Sequence, residues 1–516
     1  MNFDIGQDII SIENYGKVIY LLGSAELGGV NAPVKILNEQ MLYDIFGTTG
    51  TLIEGYKQVL DIASSCDVIC CKVTGTHSMI SLDLNIRDQQ VVEGGLVFKS
   101  KYANEIYNNI IITIDNAGLS FYFPVQLGGG SRRYNFSDYE ILGLLIRAVN
   151  TDTKSGLNHV HASTNTSQGT SLSGLIYSVN PDQMQMQGGY SGLIYNKNQY
   201  YFLLQDTYNL LESENIDIIL PLDACMDDVH PRFYYGNSNY EQALFYSNQK
   251  DYLDILDSNS KPLTFHKQLI DYCKRQMRFG LITHGVMGFN KIQDIEELNN
   301  QRYNYIEVIN ASPVSSREGF TRSPETDDGF FISVVAGEFE YSNGVIANGC
   351  TAYAGIMANN IISESLTNKP LGDKIKLETI FTTDDLGVMS RLGVVSFRNS
   401  VLNGLVVSNA VTPVEDNNNE MHYSCNIRMI QLTLCFLKLQ LDKFLGEDIN
   451  VLVKNDTINK TVKNLLENLV EQKVLKSFGF NTNINKTTGE CTINVDLKTL
   501  YMIETFSAST GMNFEI

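Results

Sequence analysis

The chain has no tryptophan among its 516 residues, ten prolines, and no run of about 18 apolar residues that could form a membrane-spanning helix. Its first residues, Met1-Asn-Phe-Asp-Ile-Gly-Gln-Asp, lack the basic start and apolar run of a signal peptide, so synthesis in a cytoplasm without export is expected. Nine cysteines include no pair of CxxC motifs with zinc-ribbon spacing. Cys66, Cys70 and Cys71 lie in or beside an apolar run, and Cys225, Cys273, Cys350, Cys425, Cys435 and Cys491 are scattered singly. Buried free thiols are therefore expected, and a disulfide framework is not. Clustered base is also lacking. With a net charge of −20 and only the pairs Arg132-Arg133 and Lys274-Arg275, phosphate neutralisation has no footing and no nucleic-acid partner is expected. The missing tryptophan weakens a carbohydrate-binding reading, although 27 tyrosines could stack on sugars. The acidity serves solubility or, in a subunit packed in many copies, opposes premature association.

What is present describes a globular, multidomain chain. Hydrophobic content of 43% and charged content of 19% fit packed cores, and the length predicts two to four domains. Lys17–Leu22, a glycine turn, Ala32–Ile36, helices at 40–46 and 52–63, and the strand Asp67–Val73 make a small α/β unit. From about Leu82 the composition turns to Gly, Ser, Asn, Tyr and Thr, with a hairpin signal at 109–114 and 119–123 and a helix at 139–149. Residues 150–189 read as an exposed insertion or long loops. Helices near 200–214, 266–277 and 294–299 alternate with strands at 216–222, 279–284 and 305–309, which predicts a right-handed parallel sheet. A strand at 331–337 and small residues at 351–358 follow. Ile427, Ile430, Leu434, Leu437, Leu441 and Phe444 mark an amphipathic helix, Val462 to Val470 a second, and Thr492–Lys498 a last alternating strand. The fold class is thus mixed α/β and α+β: a central parallel α/β sheet, a β-rich insertion and a C-terminal helix-helix-strand domain. The expected divisions are 1–15, 16–85, 86–195, 196–380, 381–504 and 505–516, the first and last being terminal arms.

Few residues suggest chemistry. Gly23-Ser-Ala-Glu-Leu-Gly-Gly29 follows a strand but has neither GxGxxG nor a Gly-Lys-Ser/Thr ending, so a structural turn is favoured over a phosphate site. Asp223, Asp227, Asp228 and His230 cluster past the end of a parallel strand, where α/β enzymes hold ligands, with His284 the only further histidine on the neighbouring strands. His159 and His161 form an H-x-H without an indicated third ligand. No serine sits in a G-x-S-x-G elbow. No catalytic, cofactor-binding or metal residue is assigned, and no cofactor is expected.

The order of these packing segments resembles that of contractile tail sheath proteins, found in contractile-tailed phages and related injection machines. The resemblance is carried by Val18 to Gly23, Pro33-Val34, Phe46-Gly47, Lys101-Tyr-Ala-Asn-Glu-Ile-Tyr-Asn-Asn109, Gly188-Gly-Tyr-Ser-Gly192, Thr351 to Ala358, Gly393-Val, Arg398 and Gly404 to Pro413. It lapses at about 150–187, and the N-terminus lacks the family's Pro-Gly-Val-Tyr opening. The resemblance implies a virion structural protein that polymerises as stacked hexameric rings around an inner tube. Its terminal arms would add strands to a neighbour's sheet, and contraction would drive the tube through a host envelope. Implied partners are further copies of the chain, the tail tube, and baseplate and terminator proteins, without nucleic acid or membrane insertion; the 150–187 segment is expected on the outer surface. A baseplate or tube component, and an α/β metal-dependent enzyme using the Asp223 to His230 loop, stand as alternatives.

Overall fold

The computed structural model describes residues 15–63, 65–86, 90–115, 117–152, 159–172, 175–177, 184–193, 197–212, 214–225, 265–289, 329–414, 420–485, 488 and 490–499. The first elements are β1 (Val18–Gly23), β2 (Val34–Ile36), α1 (Glu39–Phe46), α2 (Thr51–Ile62) and β3 (Asp67–Lys72). Next come β4 (Met79–Ile86), β5 (Gln90–Ser100), β6 (Ile111–Asp115), β7 (Gly118–Tyr122), β8 (Ser131–Asn135), α3 (Leu142–Thr151), β9 (Val160–Ser163), β10 (Leu175–Tyr177) and β11 (Met184–Gln185). The middle of the chain gives α4 (Lys197–Leu210), β12 (Ile218–Pro221), α5 (Phe265–Arg278), β13 (His284–Phe289), β14 (Ile332–Ala336), β15 (Glu338–Glu340) and β16 (Ile346–Asn348). Then follow α6 (Cys350–Asn359), β17 (Lys376–Leu377), α7 (Thr383–Leu392), β18 (Val394–Ser400) and β19 (Gly404–Asn409). The end carries α8 (Ser424–Leu441), α9 (Ile449–Lys454), α10 (Thr457–Glu471), β20 (Leu475–Asn485) and β21 (Glu490–Thr499).

The described residues form two compact units, one drawn from Met1–Leu21, Gly55–Ile69 and Tyr208–Ile516, the other from Leu22–Glu54 and Cys70–Thr207. In the first, strands run in the order β19-β18-β14-β13-β12-β1-β3. β12, β13, β14 and β18 are mutually parallel, in registers that set Ile218 beside His284, Gly285 beside Ile332 and Val334 beside Val394. β12, β13 and β14 are buried at every position, which is why they read as unbroken apolar runs. One expected strand moves. Residues 279–283 belong to no strand; α5 runs on to Arg278, Phe279 and Gly280 turn the chain, and β13 starts at His284. Gly280 is left-handed (φ 72°), and a Cβ there would lie 2.3 Å from the Lys438 stem of α8. The expected helix at 294–299 and strand at 305–309 lie outside the described residues.

Small residues explain two close approaches in this unit. Thr351 to Ala358 of α6 are all buried, and a Cβ on Gly355 would sit 2.9 Å from Ile62 Cβ, so α6 packs tightly on α2. α7 opens with a reciprocal cap between Thr382 and Asp385 and closes on left-handed Gly393 (φ 75°). A Cβ on Gly393 would stand 2.4 Å from the Thr412 carbonyl oxygen and the Pro413 Cα, which are backbone and cannot swing away. Gly393→Ala should therefore lower stability by about 2–4 kcal/mol, read as an earlier urea midpoint with unchanged slope.

In the second unit, two four-stranded antiparallel sheets, β10-β4-β5-β9 and β11-β6-β7-β8, enclose a core of Phe98, Ile112, Leu119 and Phe121, with Leu142 and Leu145 of α3. The stretch expected as loops between 150 and 189 contributes edge strands here. Val160 and Ala162 are buried and alternate with exposed His161 and Ser163 along β9. Such three- and four-residue strands are too short to show as a period amid polar neighbours. The two motifs Asn104–Asn108 and Gly188–Gly192 meet in space. Asn108 brackets Gly189, accepting from its amide at 2.7 Å and donating to its carbonyl at 2.9 Å. Gly192 (φ 76°) leaves 2.3 Å between a Cβ and the Gly75 amide.

Candidate assembly interface

α8, α10 and the last two strands share one core. Met429, Leu432 and Phe436 of α8 pack with Val462, Leu466 and Leu469 of α10. The three-four spacing read for α8 is only part of its packing: Ser424–Met429, Gln431–Thr433 and Cys435–Leu437 are buried, whereas Ile430 and Leu434 are half-buried. The helix is thus enclosed on most sides, polar residues included.

Against this core lies the antiparallel hairpin β20–β21. Its register pairs Phe478 with Leu497, Phe480 with Val495 and Thr482 with Ile493. Those side chains and Ile484 are half-buried toward the helices, while Gly479, Asn481, Asn483, Asn494, Asp496 and Lys498 face outward and are exposed. Ten or eleven residues make each strand about 35 Å long. Among the described residues no third strand pairs with either, and a strand edge of this kind presents backbone donors and acceptors to a further strand. No proline and one register shift, at Leu475/Ser477, interrupt these edges. Two-stranded sheets of this length are marginal alone and readily accept further strands. Apolar side chains are also exposed elsewhere in the unit: Val401 and Leu402 at the tip between β18 and β19 (103% and 91%), and Leu445 past α8 (79%).

The groups singled out for chemistry are placed otherwise. In the Gly23–Gly29 turn the amides of Ser24, Glu26 and Leu27 are bonded to Thr51 Oγ1, the Thr49 carbonyl and the Phe46 carbonyl, leaving none of the three for phosphate. Asp223 is buried at the end of β12; Asp227, Asp228 and His230 lie outside the described residues. His159 packs its ring against Tyr107 and Phe123, while His161 is exposed. Among the described residues no group of three or more His, Cys, Asp or Glu could hold a metal ion.

A polar set not visible in the sequence lies inside the first unit. His284 and Ser333 share a hydrogen bond (2.9 Å), Tyr353 and Ser424 another (3.1 Å), and Gln431 donates to the Thr283 carbonyl (3.1 Å). With Asp217 and Arg428 these residues resemble a catalytic inventory, yet each is at most 5% exposed and offers no surface to a solute. Burial, and secondarily the Arg428 charge, pull the His284 pKa down to about 3. The folded ring stays neutral where the unfolded chain takes up a proton, so its share of stability is complete above about pH 6.5 and is lost as pH falls toward 3. From pH 7 to 5 the protein should lose about 2 kcal/mol more than the His284→Gln variant, measured by urea unfolding at both values.

No protein-family model and no curated protein matches the sequence. Among solved structures, the sheath tail protein Lin1278 of Listeria innocua is similar, with a TM-score of 0.51 and 12% identity over 94% of this chain and 92% of that one. A sheath tail protein of Desulfitobacterium hafniense aligns at TM-score 0.47 and 11% identity, over 95% of this chain and 97% of its own. A chain of the contracted anti-feeding prophage baseplate aligns at 0.47 and 10%, over 96% and 93%. The chain therefore has the fold of the Listeria protein along nearly its whole length.

Proposed function

We propose that this chain is the subunit of a contractile tail sheath, polymerising in stacked rings around an inner tube. The observation that carries the reading is the β20–β21 hairpin, two long strands with no third strand beside them among the described residues, on a whole-chain fold shared with a sheath tail protein. Residues 1–14 and about 505–516 serve as arms, each adding a strand to the hairpin of another copy and so joining subunits by backbone hydrogen bonds. Exposed apolar points such as Val401 and Leu402 add contacts between copies. Contraction re-docks nearly rigid subunits while the arms keep them linked. Burial of a few hundred Å² of further apolar surface per subunit would release several kcal/mol at about 25 cal/mol per Å², before ordering costs. Summed over many copies, this drives a tube through an envelope without nucleotide hydrolysis. The tube, baseplate and terminator are the other partners proposed, the 150–187 segment lies on the outer surface, and no catalytic role is assigned. Sedimentation of the purified full chain tests the reading: a polymer of many subunits supports it, and a monomer at every concentration, with or without tube protein, contradicts it.

A further inference from the structure

Residues Tyr15–Val18 connect residues 1–14 to β1, and buried charge converges on them. The Tyr15 ring meets Phe436 of α8 edge-on, 4.9 Å between centroids. The Val18 amide donates to the Asp217 carboxylate at 2.9 Å, and the Gly16 and Lys17 amides lie toward the same carboxylate. Asp217 stands just before β12 and is 5% exposed; Arg428 stands on α8 and is 1% exposed. Gly16 is left-handed (φ 82°), and a Cβ there would lie 2.7 Å from Arg428 Nη2. That Nη2 donates to the Met357 carbonyl at 3.5 Å, whereas Nη1 has no hydrogen-bond partner.

Successive amides turned toward one carboxylate make an anion nest with the acid built in. Burial pushes the Asp217 pKa up, opposed by these amides and by the Arg428 charge; burial likewise pulls Arg428 down. Apolar residues of similar volume often serve stability as well as a buried charged set, so stability alone does not account for this one. Its geometry does something an apolar patch cannot: it holds the Val18 amide on a buried acid, with left-handed Gly16 set against Arg428.

We propose that Asp217 and Arg428 are positioning residues that clamp Tyr15–Val18, so that load on residues 1–14 passes into β12 and α8 instead of peeling β1 from its sheet. This rests on the reading of residues 1–14 as an assembly arm. The test is amide hydrogen exchange on the full chain, with Asp217→Asn and Gly16→Ala beside the unaltered protein, followed by sedimentation of polymer in moderate urea. At least tenfold faster exchange at Gly16–Val18 is expected in both variants, with β13 and β14 unchanged, and with less than half of the unaltered protein's polymer surviving. Exchange unchanged at Gly16–Val18, or β13 and β14 loosening in step with it, overturns the clamp in favour of a plain core role. If Asp217→Asn does not fold, Gly16→Ala decides. Should the unaltered chain form no polymer, the arm reading fails while the exchange result still decides the clamp.

Discussion

Removal of residues 1–14, or separately of Thr505–Ile516, should leave a folded, soluble monomer that no longer polymerises. The core of the first unit is closed by residues between Tyr15 and Leu497, and the clamp on Tyr15–Val18 lies beyond the first cut. Neither deletion takes away any of the described residues of that core, so melting of the truncated chains should stay within a few degrees of the full chain. Polymer, by contrast, should vanish if each arm supplies the strand proposed for it. Circular dichroism and sedimentation check the two halves separately. Unfolding on either deletion would place that segment in the monomer core.

The second large effect concerns the acceptor. Asn481 and Asn494 are register partners, so Thr482–Ile493 can be replaced by a two-residue Asn-Gly turn without breaking the remaining ladder. Phe478, Phe480, Val495 and Leu497 keep their place on the helices, while half-buried Ile484 and Ile493 are lost. The fold should weaken by about 1–3 kcal/mol. Polymer formation should fall at least tenfold, since four of the eleven residues of β20 and four of the ten of β21 have gone. A shortened hairpin that polymerises normally would mean that the arms dock elsewhere, such as the Val401–Leu402 tip.

The hairpin also shows what the sequence could and could not convey. Its second strand was legible because Ile493, Val495 and Leu497 alternate strictly with polar residues. The first was missed although Phe478, Phe480, Thr482 and Ile484 alternate in the same way; Gly479 and three asparagines lower its strand propensity. The central strands were legible because burial on both faces leaves continuous apolar runs, yet β13 was placed too early, an apolar stretch after a helix being equally compatible with a turn and a strand. The Asp217, His284 and Arg428 set was not legible at all. Its members lie far apart in sequence, and nothing local to Arg428, on a helix that also carries Asn426, Gln431 and Lys438, shows that it is buried beside the root of the N-terminal segment.

Electron microscopy of the purified chain decides whether it builds a sheath. Wide, hollow cylinders of stacked rings, with a lumen broad enough for a protein tube, are expected. Narrow tubes, flat discs, or dispersed monomers under conditions where tube protein is also present would contradict the sheath reading.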